Sequence, residues 1–576
     1  MLDVVIVGGE VIDGTGAPRR RADVGIEAGR VVMIGDVDEP AARRLDAEGK
    51  VVAPGFIDVH THYDAQIAWD PYLTPSPLHG VTTVLGGNCG FTLAPMDDDA
   101  VEYLTAMLAR VEGMPLASVR AGVDFCWRSF GEYLDAIEGR VALNAGFLVG
   151  HSTVRRLVLG DDWRRTAGDD EIEAMRRLVA ESLAAGALGL SSSWAETHND
   201  AAGDPTPSRF ASEDELLRLC GELRSHPGTW LEFIPLATGP FPDDRVALMA
   251  RMSAAAQRPL NWNLMIVRPD LGDEYVESRL AASDVAARYG GRVFGLTLPI
   301  PQTLHINLDS GFLFDSLPAW ADLIRHPRQE KLRLLCDPVV RRRLAEVAAG
   351  TNRIWYDVER LRFESVTSPR YADVVGRTLA EAARARDAEP YDLMFDVAVA
   401  DELRTGFVVP PQGDDDESWR RRGELWKDPR VLVGGSDAGA HLDMVDTFGY
   451  FTDLVGPSVR DRQLLTLETA VRLVTDDAAR AFGLRGRGRL EPGFAADVVV
   501  FDEHEVGSMP TEIRADLPAD GMRLYAEATG IEAVLVNGQL IVEQGGLTGA
   551  QPGTVLRSGR DTETVQMGST AGSTVS

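Results

Sequence analysis

The sequence predicts an α/β fold: a TIM-like (β/α)8 barrel with a smaller β domain built from both ends of the chain. Three observations predict it. Eight short apolar runs recur along the middle of the chain, mostly separated by stretches of helical periodicity, the pattern of buried parallel strands with crossover helices. Both ends carry strand-like runs punctuated by glycine turns. Histidine, cysteine and carboxylate residues fall at the ends of the apolar runs, where a barrel of parallel strands keeps its chemistry.

The N-terminal end, residues 1–57, reads as strands Val4–Val7, Asp23–Glu27 and Arg30–Ile34, broken at Gly8-Gly9, Asp13-Gly14 and Ala28-Gly29. Residues 483–548 repeat that grammar, with Val534 to Val542 folding over Asn537-Gly538, a strong two-residue hairpin signal. Residues 58–482 hold the barrel. Its strand-like runs are Phe56–His62, Val81–Gly87, Ala145–His151, Ala187–Ser193, Thr229–Pro235, Leu260–Ile266, Arg292–Pro299 and Arg430–Ser436. Helical periodicity covers Ala100–Arg110, Glu171–Ala185, Glu213–Ser225 and Asp243–Ala256. Ser212, with Glu215 three residues on, predicts a capping box for the third of these.

Residues 304–427 are too long for a simple connection between the seventh and eighth runs, and read as an insertion. Helices are expected over Leu334–Val347 and Val374–Ala383, and Trp355, Tyr356, Trp419 and Trp426 add aromatic surface. A long loop at the catalytic face suits a lid or specificity element, or else a surface subdomain. Residues 549–576 are rich in glycine, serine and threonine, and are expected to be disordered.

The densest chemistry lies between Val51 and Pro95. The apolar run from Val51 to Ile57 ends in Asp58-Val59-His60-Thr61-His62. Alternation along a strand sends Asp58, His60 and His62 to one face. Two imidazoles at that spacing, at the end of a buried strand, are placed to grip one metal ion. The next run ends in Gly86-Gly87-Asn88-Cys89-Gly90, and a thiolate beside two histidines suits zinc. By themselves, an HxH pair and one cysteine could equally be core residues.

The surroundings separate those readings. Pro54-Gly55-Phe56-Ile57-Asp58 precedes the histidines, Gly80-Val81-Thr82-Thr83 leads to Cys89, and the eighth run ends in Gly434-Gly435-Ser436-Asp437-Ala438-Gly439. With these the chain resembles the amidohydrolase superfamily and, within it, the N-acyl-D-amino-acid deacylase (D-aminoacylase) family. The resemblance spans about Leu2 to Gly545, strongest in the first third and around Asp437. It implies a barrel beside a small β-sandwich made from both termini, and hydrolysis of the amide bond of N-acyl-D-amino acids by metal-activated water. One or two zinc ions are implied, with manganese or cobalt as possible substitutes. Asp437 would touch a metal, accept a proton from water and deliver it to the leaving amine. Its other reading is the cap of a following helix.

The chain departs from its family at the fifth and sixth runs, where histidine ligands are usual. Here stand Trp230-Leu231-Glu232-Phe233-Ile234 and Leu260-Asn261-Trp262-Asn263-Leu264. Glu232 is the one ionisable side chain in an apolar strand, and burial without a partner would be costly; a metal would satisfy it. Asn263 could lend a carbonyl oxygen to a metal or hydrogen-bond a substrate. The carboxylated lysine that bridges two metals in many amidohydrolases has no counterpart in the early barrel, since no lysine lies between Val51 and Glu330. If a ligand bridges two metals, Cys89 is the natural candidate; a one-metal site is also open. His151, in a Gly150-His151-Ser152 stretch the family also has, could hold substrate or an oxyanion, or pack in the core. Arg209 is a candidate fork for a substrate carboxylate, or a surface arginine. His441 is a further pocket candidate. Cys126, Cys220 and Cys336 are expected to pack.

Composition narrows the function classes. A net charge of −30 argues against a nucleic-acid partner. No apolar run approaches the roughly 20 residues of a membrane helix, and no basic stretch precedes the first apolar run, so no signal peptide is expected. Four cysteines in 576 residues do not make a disulfide framework and favour a reducing cytoplasm. The expected partner is a small-molecule substrate, and a homo-oligomer is compatible. The expectation is therefore a metal-dependent amide hydrolase. A cyclic amide or imide hydrolase, or a non-catalytic binding protein on a decayed barrel, are the alternatives.

Overall fold

The computed structural model describes residues 1–309, 314, 317–350, 357 and 360–568. Both ends of the chain enter one nine-stranded sheet. Strands Leu2–Val11, Arg20–Glu27, Arg30–Gly35, Ala41–Asp46 and Val51–Pro54 join Val498–Phe501, Ile531–Val536, Gln539–Glu543 and Gly546–Leu547. The two ends meet where Val51–Pro54 pairs antiparallel with Val498–Phe501. Side chains alternate across that junction. Val498 and Val500 face a core with Val4, Ile6 and Val24, whereas Val499 and Phe501 pack with Phe56 and Val81 at the base of the next unit. The expected hairpin forms at Asn537 and Gly538, both with positive φ (46° and 77°), as a tight two-residue turn requires.

The middle of the chain supplies the parallel strands. They are β1 (Phe56–Asp58), β2 (Val81–Gly86), β3 (Asn144–Phe147, resuming at Val149–Gly150), β4 (Gly189–Ser193), β5 (Trp230–Ile234), β6 (Leu260–Met265), β7 (Val293–Thr297) and β8 (Val431–Val433). Neighbours pair in parallel from β1 to β3 and from β3 to β8. β8 stops earlier than its apolar run suggested: Gly434 N–H still donates to Thr297 O at 3.0 Å, but Gly435, with φ of 90°, turns the chain away. The chain beyond it then meets the chain beyond β1. Thr61 and Ala438 form a parallel bridge, His62 N–H donates to Ala438 O at 2.8 Å, and Asp437 N–H donates to His60 O at 3.2 Å. Ile57, Leu85, Leu148, Leu188, Trp230, Phe294 and Leu432 converge in one buried cluster.

Helices α1 (Asp98–Val111), α2 (Asp169–Ala185), α3 (Glu213–Gly221) and α4 (Asp243–Ala256) lie where periodicity placed them, α4 at both ends and the others with one or both ends shifted. The capping box at α3 is half formed. Ser212 Oγ accepts the Glu215 N–H at 3.1 Å, but the Glu215 carboxylate is bound to His151 and Arg155 instead.

The insertion has its own three-stranded antiparallel sheet, Leu304–Ile306, Gly406–Val409 and Arg362–Ser365. Its core gathers Trp320, Leu344, Phe363, Phe395 and Phe407, together with Met444 and Val445 from the segment after β8. Two of its helices start four or five residues later than expected, at Pro338–Ala349 and Leu379–Ala385, because Asp337 and Thr378 cap them. Trp419 and Trp426 are buried, whereas Trp355 and Tyr356 lie outside the described residues. Cys220 is buried, but Cys126 and Cys336 are exposed rather than packed. No helix among the described residues is long and apolar enough to cross a membrane.

The expectation of a disordered tail fails for residues 549–568. The segment runs along the feet of β3 to β5. Gly553 N–H donates to Val141 O and Ala145 N–H to Thr554 O, while Thr562 Oγ1 donates to Gly228 O. Val555 and Leu556 are fully buried, Leu556 within the cluster between the strands. Two fully buried apolar side chains and these hydrogen bonds dock the segment. Residues 569–576 lie outside the described part.

Candidate metal centre

β1 and β2 deliver three ligand-type atoms to one point. His60 and His62 follow β1 on the same side, their rings edge to face at 5.2 Å. Cys89 sits in the turn after β2 with φ of 57°, a left-handed conformation uncommon outside glycine. Gly87 must be glycine there, because a Cβ would come within 2.3 Å of Leu148 O. Cys89 Sγ lies 3.6 Å from His60 Nε2 and 4.0 Å from His62 Nε2, and ligand atoms of all three residues fall within 4.8 Å of one another. Asp437, on the turn after β8, places Oδ1 3.2 Å from His60 Nε2 and 3.8 Å from His62 Nε2. Around a tetrahedral ion with metal–nitrogen and metal–sulfur bonds of about 2.0–2.3 Å, donor atoms would be separated by about 3.3–3.6 Å. The observed separations fit such an ion or slightly exceed its edges.

Glu232 and Asn263 stand beside this group in different ways. Glu232 Oε2 accepts the Cys89 backbone N–H at 2.9 Å, so it holds the cysteine turn. Its Oε1 is buried and has no hydrogen-bond partner among the described residues. Asn263 Nδ2 donates to Asp437 Oδ1 at 3.2 Å and lies 3.5 Å from His60 Nε2. Asn263 Oδ1 is likewise without a partner, and only glycine fits at 435, where a Cβ would approach that oxygen to 2.5 Å.

The electrostatics call for a cation. Burial pushes the carboxyls of Asp58, Asp64 and Asp437 up to about 7, and those of Glu112 and Glu232 well above their ordinary range. Several also repel one another: Asp437 acts on Asp58, Glu112 and Glu232. Burial, then the neighbouring carboxylates, also raises the Cys89 thiol. Burial lowers the imidazoles, His60 to about 3 and His62 well below its ordinary value, so both are neutral and able to coordinate. Asp58 Oδ2 accepts from Ser436 Oγ at 2.6 Å, and Asp64 Oδ2 from Gly87 N–H at 3.1 Å, but the Oδ1 of each has no hydrogen-bond partner among the described residues. Buried carboxylate oxygens without partners are costly. A bound cation would offset that cost and restore the thiolate. The residues therefore fit a metal.

The remaining expected site residues are placed as follows. His151 does not face the centre as a free side chain. It is fully buried, with Nδ1 2.9 Å from Ser192 Oγ and Nε2 2.9 Å from Glu215 Oε1, and Glu215 is also paired with Arg155. Both ring nitrogens are engaged in a packing network, which favours the core reading of His151 over substrate contact. Arg209 is half-buried, and its Nη1 holds the loop after β4 through Glu196 O, His198 O and Asn199 Oδ1. His441 donates its backbone N–H to Glu112 O. Its imidazole, lowered by burial to about 4, is near enough for its charge to bear on His62 and His198.

Two residues escaped the sequence reading. Glu112, just past the end of α1, lies 3.2 Å from His62 Nδ1. His198, after β4, is lowered to about 3 by burial and then by His441, and its Nδ1 is 2.7 Å from Ser193 Oγ. Nothing in the local pattern marks Glu112, since a polar residue after a helix ordinarily faces water. His198 was legible only as a histidine beyond a strand end.

Comparison with known proteins places this arrangement. The amidohydrolase family model matches residues 43–542. The D-aminoacylase of Alcaligenes xylosoxydans xylosoxydans is 31% identical over 561 residues, covering 96% of this chain and 97% of its own length. A solved D-aminoacylase, described by the functional role of its binuclear metal centre, is 29% identical with a TM-score of 0.65, covering 97% of this chain and all of its own. An N-acyl-D-glutamate deacylase from Bordetella bronchiseptica, solved with zinc and a phosphonate mimic of the tetrahedral intermediate, is 27% identical with a TM-score of 0.65 and the same coverage.

Proposed function

The chain belongs to the amidohydrolase family, and from that membership we infer that it is a metal-dependent hydrolase of N-acyl-D-amino acids. It cleaves the amide bond and releases a carboxylate and a free D-amino acid. One observation carries the reading: His60, His62 and Cys89 converge beside Asp437 among buried carboxylates with unpartnered oxygens. The near-full-length likeness to proteins named for this activity supplies the substrate class.

His60, His62, Cys89 and Asp437 are the proposed ligands, on eight strands read as a closed (β/α)8 barrel beside the terminal sheet. A divalent ion held there would polarise the amide carbonyl and lower the pKa of water towards about 7. Asp437 takes the proton from the attacking water and hands it to the departing amine. Asn263, which donates to Asp437 Oδ1, keeps that oxygen oriented towards the histidines. Glu232 holds the cysteine turn, and its other oxygen would be available to hold the ion. Arg209 and His441 are assigned to the substrate's polar groups. Zinc is the expected metal for a site with histidine and cysteine ligands. The added carboxylates make manganese or cobalt acceptable.

The test is elemental analysis of the purified protein, with turnover of paired N-acyl-D- and N-acyl-L-amino acids before and after chelation. The expected result is bound metal and chelator-sensitive hydrolysis confined to the D series. A metal-replete protein that turns over neither series would sink the reading and favour a binding protein.

A further inference from the structure

We infer that Glu112 is a positioning residue for this centre: its carboxylate fixes the His62 ring with Nδ1 protonated, so that the Nε2 lone pair faces Cys89 and Asp437. The inference rests on the metal-centre reading above. Glu112 Oε1 lies 3.2 Å from His62 Nδ1, with the two side chains 2% and 3% exposed. The pair falls short of hydrogen-bond geometry as it stands, and neither atom has a hydrogen-bond partner among the described residues. Each is therefore the other's available partner in a place water does not reach.

The backbone holds Glu112 there from two sides. Its N–H closes α1 on Leu108 O at 2.9 Å, and its carbonyl accepts the His441 N–H. Gly113 follows with φ of 61°, and a Cβ there would approach His441 Cα to 3.1 Å. The carboxylate is thus delivered by the same strand-to-helix unit that carries Cys89. An imidazole that donates from Nδ1 presents Nε2 as a lone pair, and a carboxylate partner makes that nitrogen a better ligand. With the other tautomer, a proton on Nε2 would face Cys89 Sγ at 4.0 Å and Asp437 Oδ1 at 3.8 Å, where an ion has to sit. His60 has no such partner: its Nδ1 makes no hydrogen bond among the described residues. The two histidines of the motif are therefore unequal, His62 being oriented by a side chain and His60 by its place on the strand.

The experiment compares parent, Glu112→Gln and Glu112→Asp, each as the full chain. Zinc affinity is measured by competition with a chromophoric chelator, the His62 tautomer by nitrogen-15 NMR of the zinc-free protein, and folding by zinc-free thermal unfolding. Glu112→Gln should weaken zinc binding about 10- to 100-fold and lower the share of His62 rings protonated on Nδ1, since a neutral amide accepts less strongly than a carboxylate, with zinc-free unfolding unchanged. Glu112→Asp should regain part of the affinity. If Glu112→Gln fails to fold, the parent tautomer and the Glu112→Asp affinity still decide the matter. A parent ring protonated on Nε2, or a glutamine variant binding zinc as tightly as the parent, overturns the inference. A parent that binds no zinc overturns the metal-centre reading with it.

Discussion

Asp437 is fastened to His60 twice: its backbone N–H donates to the His60 carbonyl at 3.2 Å, and its Oδ1 stands 3.2 Å from His60 Nε2. The first contact joins the chain beyond β8 to the chain beyond β1, and the second sets the proton acceptor beside a proposed ligand. The geometry should survive loss of the charge. Asp437→Asn should therefore keep most of the bound metal and lower kcat by about 10²–10⁴-fold, the usual cost of a lost general base. Steady-state kinetics beside elemental analysis would check this, and near-full turnover would exclude the role.

Cys89 differs from Asp437 in kind. Its sulfur is the one soft ligand in the group, and alanine leaves nothing in its place. Cys89→Ala should lose most of its metal at low micromolar free zinc, while its circular dichroism stays that of the parent. Unchanged stoichiometry would mean that the thiol only packs.

Glu232→Gln separates the two functions of that side chain. An amide oxygen can still accept the Cys89 N–H, so the turn should hold, while the charge at Oε1 is lost. Metal affinity and activity should both fall, less than for Cys89→Ala. Affinity equal to that of the parent would confine Glu232 to holding the turn.

His305 offers a pH-dependent test away from the centre. It lies between Glu364, at 2.8 Å, and Asp446, at 3.4 Å. Burial alone would lower its pKa, but the hydrogen bonds to Asp446 and Glu364 outweigh it and raise the imidazole to about 9. A folded-state pKa above the unfolded value stabilises most below about pH 6.5. That contribution, on the order of 3 kcal/mol at about 1.4 kcal/mol per unit, should fade as pH rises through about 9. Unfolding midpoints of the parent should fall across that window more than those of His305→Gln; parallel curves would refute it.

Leu556 tests the docked tail. It is fully buried among Leu188, Trp230 and Leu432. Leu556→Ala should cost about 2–5 kcal/mol, read as a lower urea midpoint, and removal of residues 549–576 should cost more. An unchanged midpoint would mean that the tail merely lies on the surface.

Much of this arrangement was legible in the residues. Apolar runs and helical periodicity located the parallel strands and the helices between them, because burial on both faces of a strand leaves a continuous apolar signature. His60, His62 and Asp437 were legible because polar side chains at the end of a buried strand are costly unless they bind something. Cys89 was legible because its glycine-flanked turn ends the neighbouring strand. Glu112 was not, because its importance comes from where α1 ends in space. His151 stayed open between two readings for a related reason: one residue type serves equally as a substrate contact and as a packed hydrogen-bonder, and Glu215, which pairs with it, lies 64 positions away. The tail was misjudged because average composition hid Val555 and Leu556.

Met444 and Val445 give the insertion a hold on the centre. They lie a few residues beyond Asp437, yet pack in the insertion's own core with Phe407 and Trp320, and His305 N–H donates to the Met444 carbonyl at 2.8 Å. A protein engineer could not exchange the insertion between relatives as a cassette bounded by β7 and β8. A chimera cut at those strands would inherit a foreign mate for Met444 and Val445, and the mismatch would surface first as a misplaced Asp437. The transferable unit runs from the end of β7 through to at least Asp446, with the eighth strand inside it.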